Sequence, residues 1–280
     1  LCAGILKNEL EGRTGPIMKK ISDEEEGFLN SLPFDLTNAQ KKVWQEIKQD
    51  LTSEMPMRRL LQGDVGSGKT LIGALAALHS RSNEWQTALL CPTEILAEQH
   101  YESFKEWFEN LGVSVNLLTG STKAKERKLI TRDLKEGNID IIVGTHAIFQ
   151  LGIEFANLGL TIIDEQHRFG VHQRFSMLEK GGKEKMSPHQ LIMTATPIPR
   201  TLQMSLLGLK DLSVIGTPPS NRLAIRTYVQ RYEQVSFLTA VNNEISRNGQ
   251  IFIVVPRISH IPFVESEIKK LNLNISYGIG

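Results

Sequence analysis

The chain has 280 residues, 40% of them hydrophobic and 22% charged, an ordinary globular composition with length for about two domains. Its formal net charge of +1 carries no basic excess, so any hold on a polyanion must come from locally placed Lys and Arg, or from parts of a longer protein. Cys2 and Cys91 are too few and too far apart for a disulfide framework or a paired metal clip, and no apolar run reaches the ~18–20 residues that cross a bilayer. No signal peptide is read at Leu1-Cys2-Ala3-Gly4; the chain starts without Met and is expected to be a fragment of a cytoplasmic protein.

In chain order, residues 1–32 read as a connecting helix and linker, with the run Asp23-Glu24-Glu25-Glu26 as a solvated face. Pro33 marks an extended entry, and Thr37 or Asn38 can cap a helix over 41–50. Strands and helices then alternate. Strands are expected at 59–62, 87–91 (TALLC), 113–118, 140–143 (DIIV), 160–163 and 190–193. Helices are expected at 71–79 (LIGALAALH), 95–110 and 123–136. Short runs that are apolar on both faces belong to a parallel sheet covered by helices, so 33–217 is expected to be a doubly wound α/β domain. The turn formers Gly216-Thr217-Pro218-Pro219-Ser220 make a linker. A second βα series, 221–280, is expected to place strands at 223–229, 250–255 (QIFIVV) and 274–277, with helices at 233–247 and 262–271. It reads as the opening part of a second domain.

Gly63-Asp64-Val65-Gly66-Ser67-Gly68-Lys69-Thr70 matches G-x-x-x-x-G-K-T, with a strand before it and a helix after it. Glycines at 63, 66 and 68 let the backbone curl so that successive N–H groups, Ser67 among them, face a phosphate chain at a helix N-terminus. Lys69 can reach the β- and γ-phosphates of ATP, and the Thr70 hydroxyl can ligate Mg²⁺. Asp164 and Glu165 end the apolar run at 160–163, where a parallel sheet opens its ligand crevice. Asp164 is read as a Mg²⁺ ligand, usually through water, and Glu165 as the group that orients and deprotonates the attacking water. The two motifs together define a P-loop NTPase built for hydrolysis rather than a kinase fold.

Asp164-Glu165-Gln166-His167 is a D-E-x-H box, and Thr194-Ala195-Thr196-Pro197 closes a later strand. With these residues the sequence resembles the superfamily 2 helicases, whose motor is a pair of RecA-like domains. The resemblance implies that His167, Thr194 and Thr196 couple the nucleotide site to bound DNA. It also likens Pro92-Thr93-Glu94 and Gly144-Thr145-His146 to the family's two DNA-backbone motifs, and Gln40 to the glutamine that reads the adenine edge. Loops of this kind grip phosphates without reading sequence.

Longer strings narrow the resemblance. Residues 165–171 and 196–201 are similar to two bacterial branches, the branched-DNA helicases and the transcription-repair coupling factors. Over residues 1–202 the chain resembles the first branch, and from Met204 onward, at 209–215, 217–219 and 222–226, it looks more like the second. The resemblance implies a translocase on duplex DNA that remodels stalled forks or junctions in recombination and repair. A coupling-factor translocase that displaces stalled RNA polymerase, a regulatory nucleotide-binding module and a small-molecule kinase are the alternatives. The family's wedge domain would lie before Leu1 and its arginine finger after Gly280. Such a finger contributes ~10³–10⁵ in rate, so the chain alone is expected to bind ATP and hydrolyse it feebly.

Overall fold

Four short runs are so continuously apolar that only a strand with neighbours on both sides can hide them. In the computed structural model, which describes residues 14–21, 23–150, 152–165, 186–196, 211–216, 227–270 and 276–279, they lie inside one parallel sheet. The strands are β1 (Arg58–Gly63), β2 (Gln86–Leu90), β3 (Val115–Leu118), β4 (Ile141–Gly144), β5 (Leu158–Asp164), β6 (His189–Thr194) and β7 (Asp211–Ile215). Their order is β3-β4-β2-β5-β6-β1-β7, and every pairing is parallel. All residues of β2, β4 and β6 are buried. Because the strands run the same way, all their C-terminal ends emerge along one edge.

Helices cover both faces. On one lie α1 (Asp23–Ser31), α2 (Asn38–Leu51), α3 (Lys69–Ser82) and α4 (Glu94–Phe108), which share a core with Leu61, Leu89, Ile162 and Leu191. On the other, α5 (Ala124–Glu136) packs Ile130 and Leu134 against Ala88, Ile142 and Ile192. The Ala-rich α3 is buried nearly end to end, because it crosses the middle of the sheet between β1 and β2.

The chain divides into two compact units, Leu1–Arg222 and Leu223–Gly280. Two expectations need correction within the first. The acidic run is not a solvated face: Glu25 is 4% exposed and pairs with His79 Nδ1 at 2.5 Å and Lys48 Nζ at 2.8 Å. Glu24 meets Arg81, while Phe28 lies against Phe108 with ring centroids 5.3 Å apart. Only Asp23 and Glu26 of the run are exposed, so α1 is a docked helix. The second correction is an addition. β7, drawn from a stretch with no strand expectation, extends the sheet beside β1.

In the second unit α6 (Gln234–Ser246) and α7 (Ile261–Lys270) form where helices were expected. The expected strand at 250–255 does not form, and no strand occurs among the described residues of this unit. Phe252 and Val254 are 88% and 90% exposed. A strand exists only through its ladder partners. Those expected for it, 223–229 and 274–277, fall partly outside the described residues, and their described remainders, 227–229 and 276–277, make no ladder.

Candidate functional site

β1 delivers the chain at Gly63 into a tight loop that ends at Gly68, the N-cap of α3. Gly66 and Gly68 have φ of 75° and 90°, a left-handed region that favours glycine. A Cβ at Gly68 would also collide with the Gln40 side-chain amide. No side chain caps α3, so its first-turn N–H groups face the loop beside a positive helix end. The buried Ser67 Oγ has no hydrogen-bond partner in the described structure, which fits a loop shaped around a polar ligand.

Lys69 Nζ donates to the carbonyls of Gly63 at 2.7 Å and Asp64 at 2.8 Å, which holds the ammonium across the loop. Burial lowers its pKa from the ordinary lysine value, while the charges of Asp164, Glu165 and Asp64 push the other way. Those opposing charges place both box carboxylates in the field of the loop lysine.

The backbone explains how. Asp164 is the last residue of β5, and the end of β6 lies between it and the end of β1: Asp164 is level with Met193, and Thr194 with Gln62. Glu165 then turns sharply, with φ 49°, its N–H donating to Met193 O at 3.0 Å. A left-handed conformation at a non-glycine residue costs of order 1–3 kcal/mol and is held only where surroundings over-determine it. Here the Glu165 side chain does so, because Oε1 accepts from Ala195 N–H at 3.1 Å. Thr194 and Thr196 join through their hydroxyls at 2.9 Å, and Thr196 N–H donates to Thr194 Oγ1. Glu165 and the Thr194–Thr196 segment are therefore one hydrogen-bonded cluster. His167, the other expected coupling residue, lies outside the described residues.

Gln40 ties α2 to the phosphate loop. Its Nε2 donates to Ser67 O at 2.8 Å, and its Oε1 accepts from Thr37 N–H at 2.8 Å in a capping box. These contacts use one hydrogen-bonding position at each end of the buried amide. Thr70 sits in the first turn of α3, partly exposed. Among the described residues no cluster of three or more His, Cys, Asp or Glu could hold a metal. Thr70 and Asp164 as single oxygen donors instead suit a cation such as Mg²⁺ that arrives on phosphates and keeps its waters.

The expected DNA loops leave the same edge. Pro92 and Thr93 follow β2, and Thr93 Oγ1 caps α4 by accepting from Leu96 N–H at 3.3 Å. Gly144 ends β4, where a Cβ would collide with Leu118 O, so packing alone demands glycine. Thr145 is buried, its Oγ1 without a partner in the described structure, and His146 is exposed.

Sequence reasoning missed one member of the site. His100 Nε2 lies 2.9 Å from Asp164 Oδ2, both side chains largely buried. The two are far apart in sequence, and a helical histidine carries no local signal of such a contact.

Residues 37–205 match the family described as DEAD/DEAH box helicase. The chain is 53% identical over 213 residues to the ATP-dependent DNA helicase RecG of Haemophilus influenzae, covering 76% of this chain and 31% of that protein. It is 47% identical over 248 residues to the RecG of Pasteurella multocida, covering 88% of this chain and 36% of that one. A solved structure of RecG bound to a three-way DNA junction superposes with a TM-score of 0.83 at 40% identity, covering 97% of this chain and 36% of that one. The chain thus spans about a third of the length of these relatives. A match of 248 residues exceeds the 203 that precede Met204, so the likeness runs into the C-terminal part. The expected shift toward the coupling factors there is not supported.

Proposed function

Because the chain belongs to the DEAD/DEAH box helicase family, we propose that it is the motor portion of an ATP-hydrolysing DNA helicase that works on branched DNA. The observation that carries this reading is the convergence of Lys69, Asp164 and Glu165 at one edge of the sheet, with Glu165 bonded into the Thr194–Thr196 segment. In this reading the loop N–H groups and Lys69 hold the β- and γ-phosphates of ATP. Thr70 and Asp164 hold Mg²⁺, which when bound neutralises charge on the phosphates. Glu165 orients a water for in-line attack and takes its proton. Gln40 meets the adenine edge.

Pro92, Thr93, Gly144, Thr145 and His146 form the DNA side, where hydroxyl and backbone donors suit sequence-independent contact with phosphates. His167, Thr194 and Thr196 link the two sides. The junction seen with the similar RecG structure supports branched DNA as the substrate. Such a protein works in the cytoplasm, at the nucleoid. Domain bounds of 33–217 for the first motor domain and 221–280 for the start of the second go with it.

The test is Glu165→Gln in the full-length protein. Affinity for a fluorescent ATP analogue is expected to stay within about threefold, and DNA-stimulated turnover to fall by ~10² or more, as for loss of a positioned general base. Turnover that survives the change, or that DNA does not stimulate in the parent protein, would overturn the reading.

A further inference from the structure

α4 meets two different neighbourhoods, the loops after β2 and β3 at its N-terminus and the Asp164 carboxylate at its middle. Its N-terminus is capped by Thr93 of the loop proposed to meet DNA, and Glu94 Oε1 accepts from Ser121 N–H at 3.1 Å in the loop after β3. Two turns further along, His100 Nε2 lies 2.9 Å from Asp164 Oδ2. A carboxylate oxygen only accepts, so the ring nitrogen carries the proton of this bond. The side chains are 12% and 14% exposed, so water does not screen the contact as it would at the surface.

Asp164 is thereby gripped from outside the nucleotide pocket. Its backbone is fixed by β5, and its carboxylate by a helix that starts at the DNA loop. A helix is stiff over two turns, so a displacement at Thr93 arrives at His100 little reduced. A hydrogen bond at 2.9 Å is lost within a few tenths of an ångström beyond ~3.2–3.5 Å, so a small shift of α4 suffices to free or lock the carboxylate. Outer partners that orient ligating carboxylates are worth ~10–100-fold in metal affinity or activity.

We propose that His100 is a positioning residue that sets the orientation of the Asp164 carboxylate according to how DNA seats against the α4 N-terminus. This second link between DNA and the metal carboxylate runs beside the one through Thr194 and Thr196. It rests on the proposed reading of Asp164 as the Mg²⁺ carboxylate and of Pro92–Thr93 as a DNA contact.

The experiment uses the full-length protein with His100→Leu, which removes the donor at similar volume, and His100→Gln, which restores an N–H. Two quantities are measured: the Mg²⁺ concentration giving half-maximal binding of a fluorescent ATP analogue, and the ratio of ATP turnover with and without a three-way DNA junction. In His100→Leu the Mg²⁺ requirement is expected to rise, and the stimulation ratio to fall, each by ~10-fold. Junction affinity and Mg²⁺-free nucleotide affinity stay unchanged, and His100→Gln recovers most of both losses.

Should His100→Leu unfold, His100→Asn, polar but too short to reach Asp164, carries the same expectation. A replacement that leaves both quantities at the parent values overturns the proposal. So does a Gln variant as impaired as Leu, since packing rather than the hydrogen bond would then be at work. A parent protein without DNA-stimulated turnover would instead sink the helicase reading, so the two failures are distinguishable.

Discussion

At the residue scale, His189 shows what a buried titratable group does to this sheet. It is fully buried, its Nδ1 accepting from Met57 N–H at 2.8 Å and its Nε2 donating to Pro16 O at 2.6 Å. Burial, helped by the charge of Arg58, lowers its pKa from 6.5 to about 4, although the bond to Pro16 opposes the shift. Between those values the unfolded chain binds a proton that the folded one refuses, so this stability is complete above pH 6.5 and drains away as pH falls toward 4. The loss amounts to about 3 kcal/mol over the whole window. The melting temperature is therefore expected to fall more steeply between pH 7 and 5 in the parent chain than in His189→Gln, followed by circular dichroism. Equal slopes would show that another group dominates. Residues of this kind are not legible from sequence. The phosphate loop is, because its residue types stand together in one contiguous string, Gly63 to Thr70. His189 and His100 are defined by partners more than 60 positions away.

At the element scale, continuity of burial decides what could be foreseen. The runs that became β2, β4, β5 and β6 are apolar on both faces and could hardly be anything but internal strands. β7 has an exposed Val214 and a buried Ser213 that donates to Glu46, so its pattern carries no such signature. α1 misled for the opposite reason, since four acids in a row usually mean solvent. Glu25 instead faces His79 of α3 and Lys48 of α2. Burial raises its pKa, but the bonds and charges of His79 and Lys48 together bring it below the ordinary carboxylate value. A docked α1 makes a differential prediction. Glu25→Ala leaves the buried His79 ring without its hydrogen-bond partner and the half-buried Lys48 without its counter-charge, and is expected to cost about 3 kcal/mol. Glu26→Ala, one residue on and exposed, should stay within ~0.5 kcal/mol. Urea unfolding of the two variants separates the cases, and equal effects would return the run to a solvated face.

At the scale of the whole molecule, the two units differ in how far each encloses its own apolar residues. In the first, α1 to α4 cover one face of the sheet and α5 the other, so the core is closed on both sides. In the second, Val241 is the single buried hydrophobic among the described residues, and Phe252, Val254 and Phe263 are 88%, 90% and 67% exposed. The described residues of this unit therefore do not close a core of their own. The residues proposed to hold nucleotide, from Gln40 to Glu165, all belong to the first unit. Its affinity for nucleotide should therefore not depend on the second. A chain ended after Arg222 is expected to bind a fluorescent ATP analogue with a Kd within about twofold of the 280-residue chain, a difference of ~0.4 kcal/mol. It should also bind less of a dye that seeks exposed apolar surface. A shortened chain that stays folded yet loses the nucleotide would mean that residues after 222 complete the site. One that binds as before would establish the parallel sheet and its covering helices as self-sufficient for nucleotide binding.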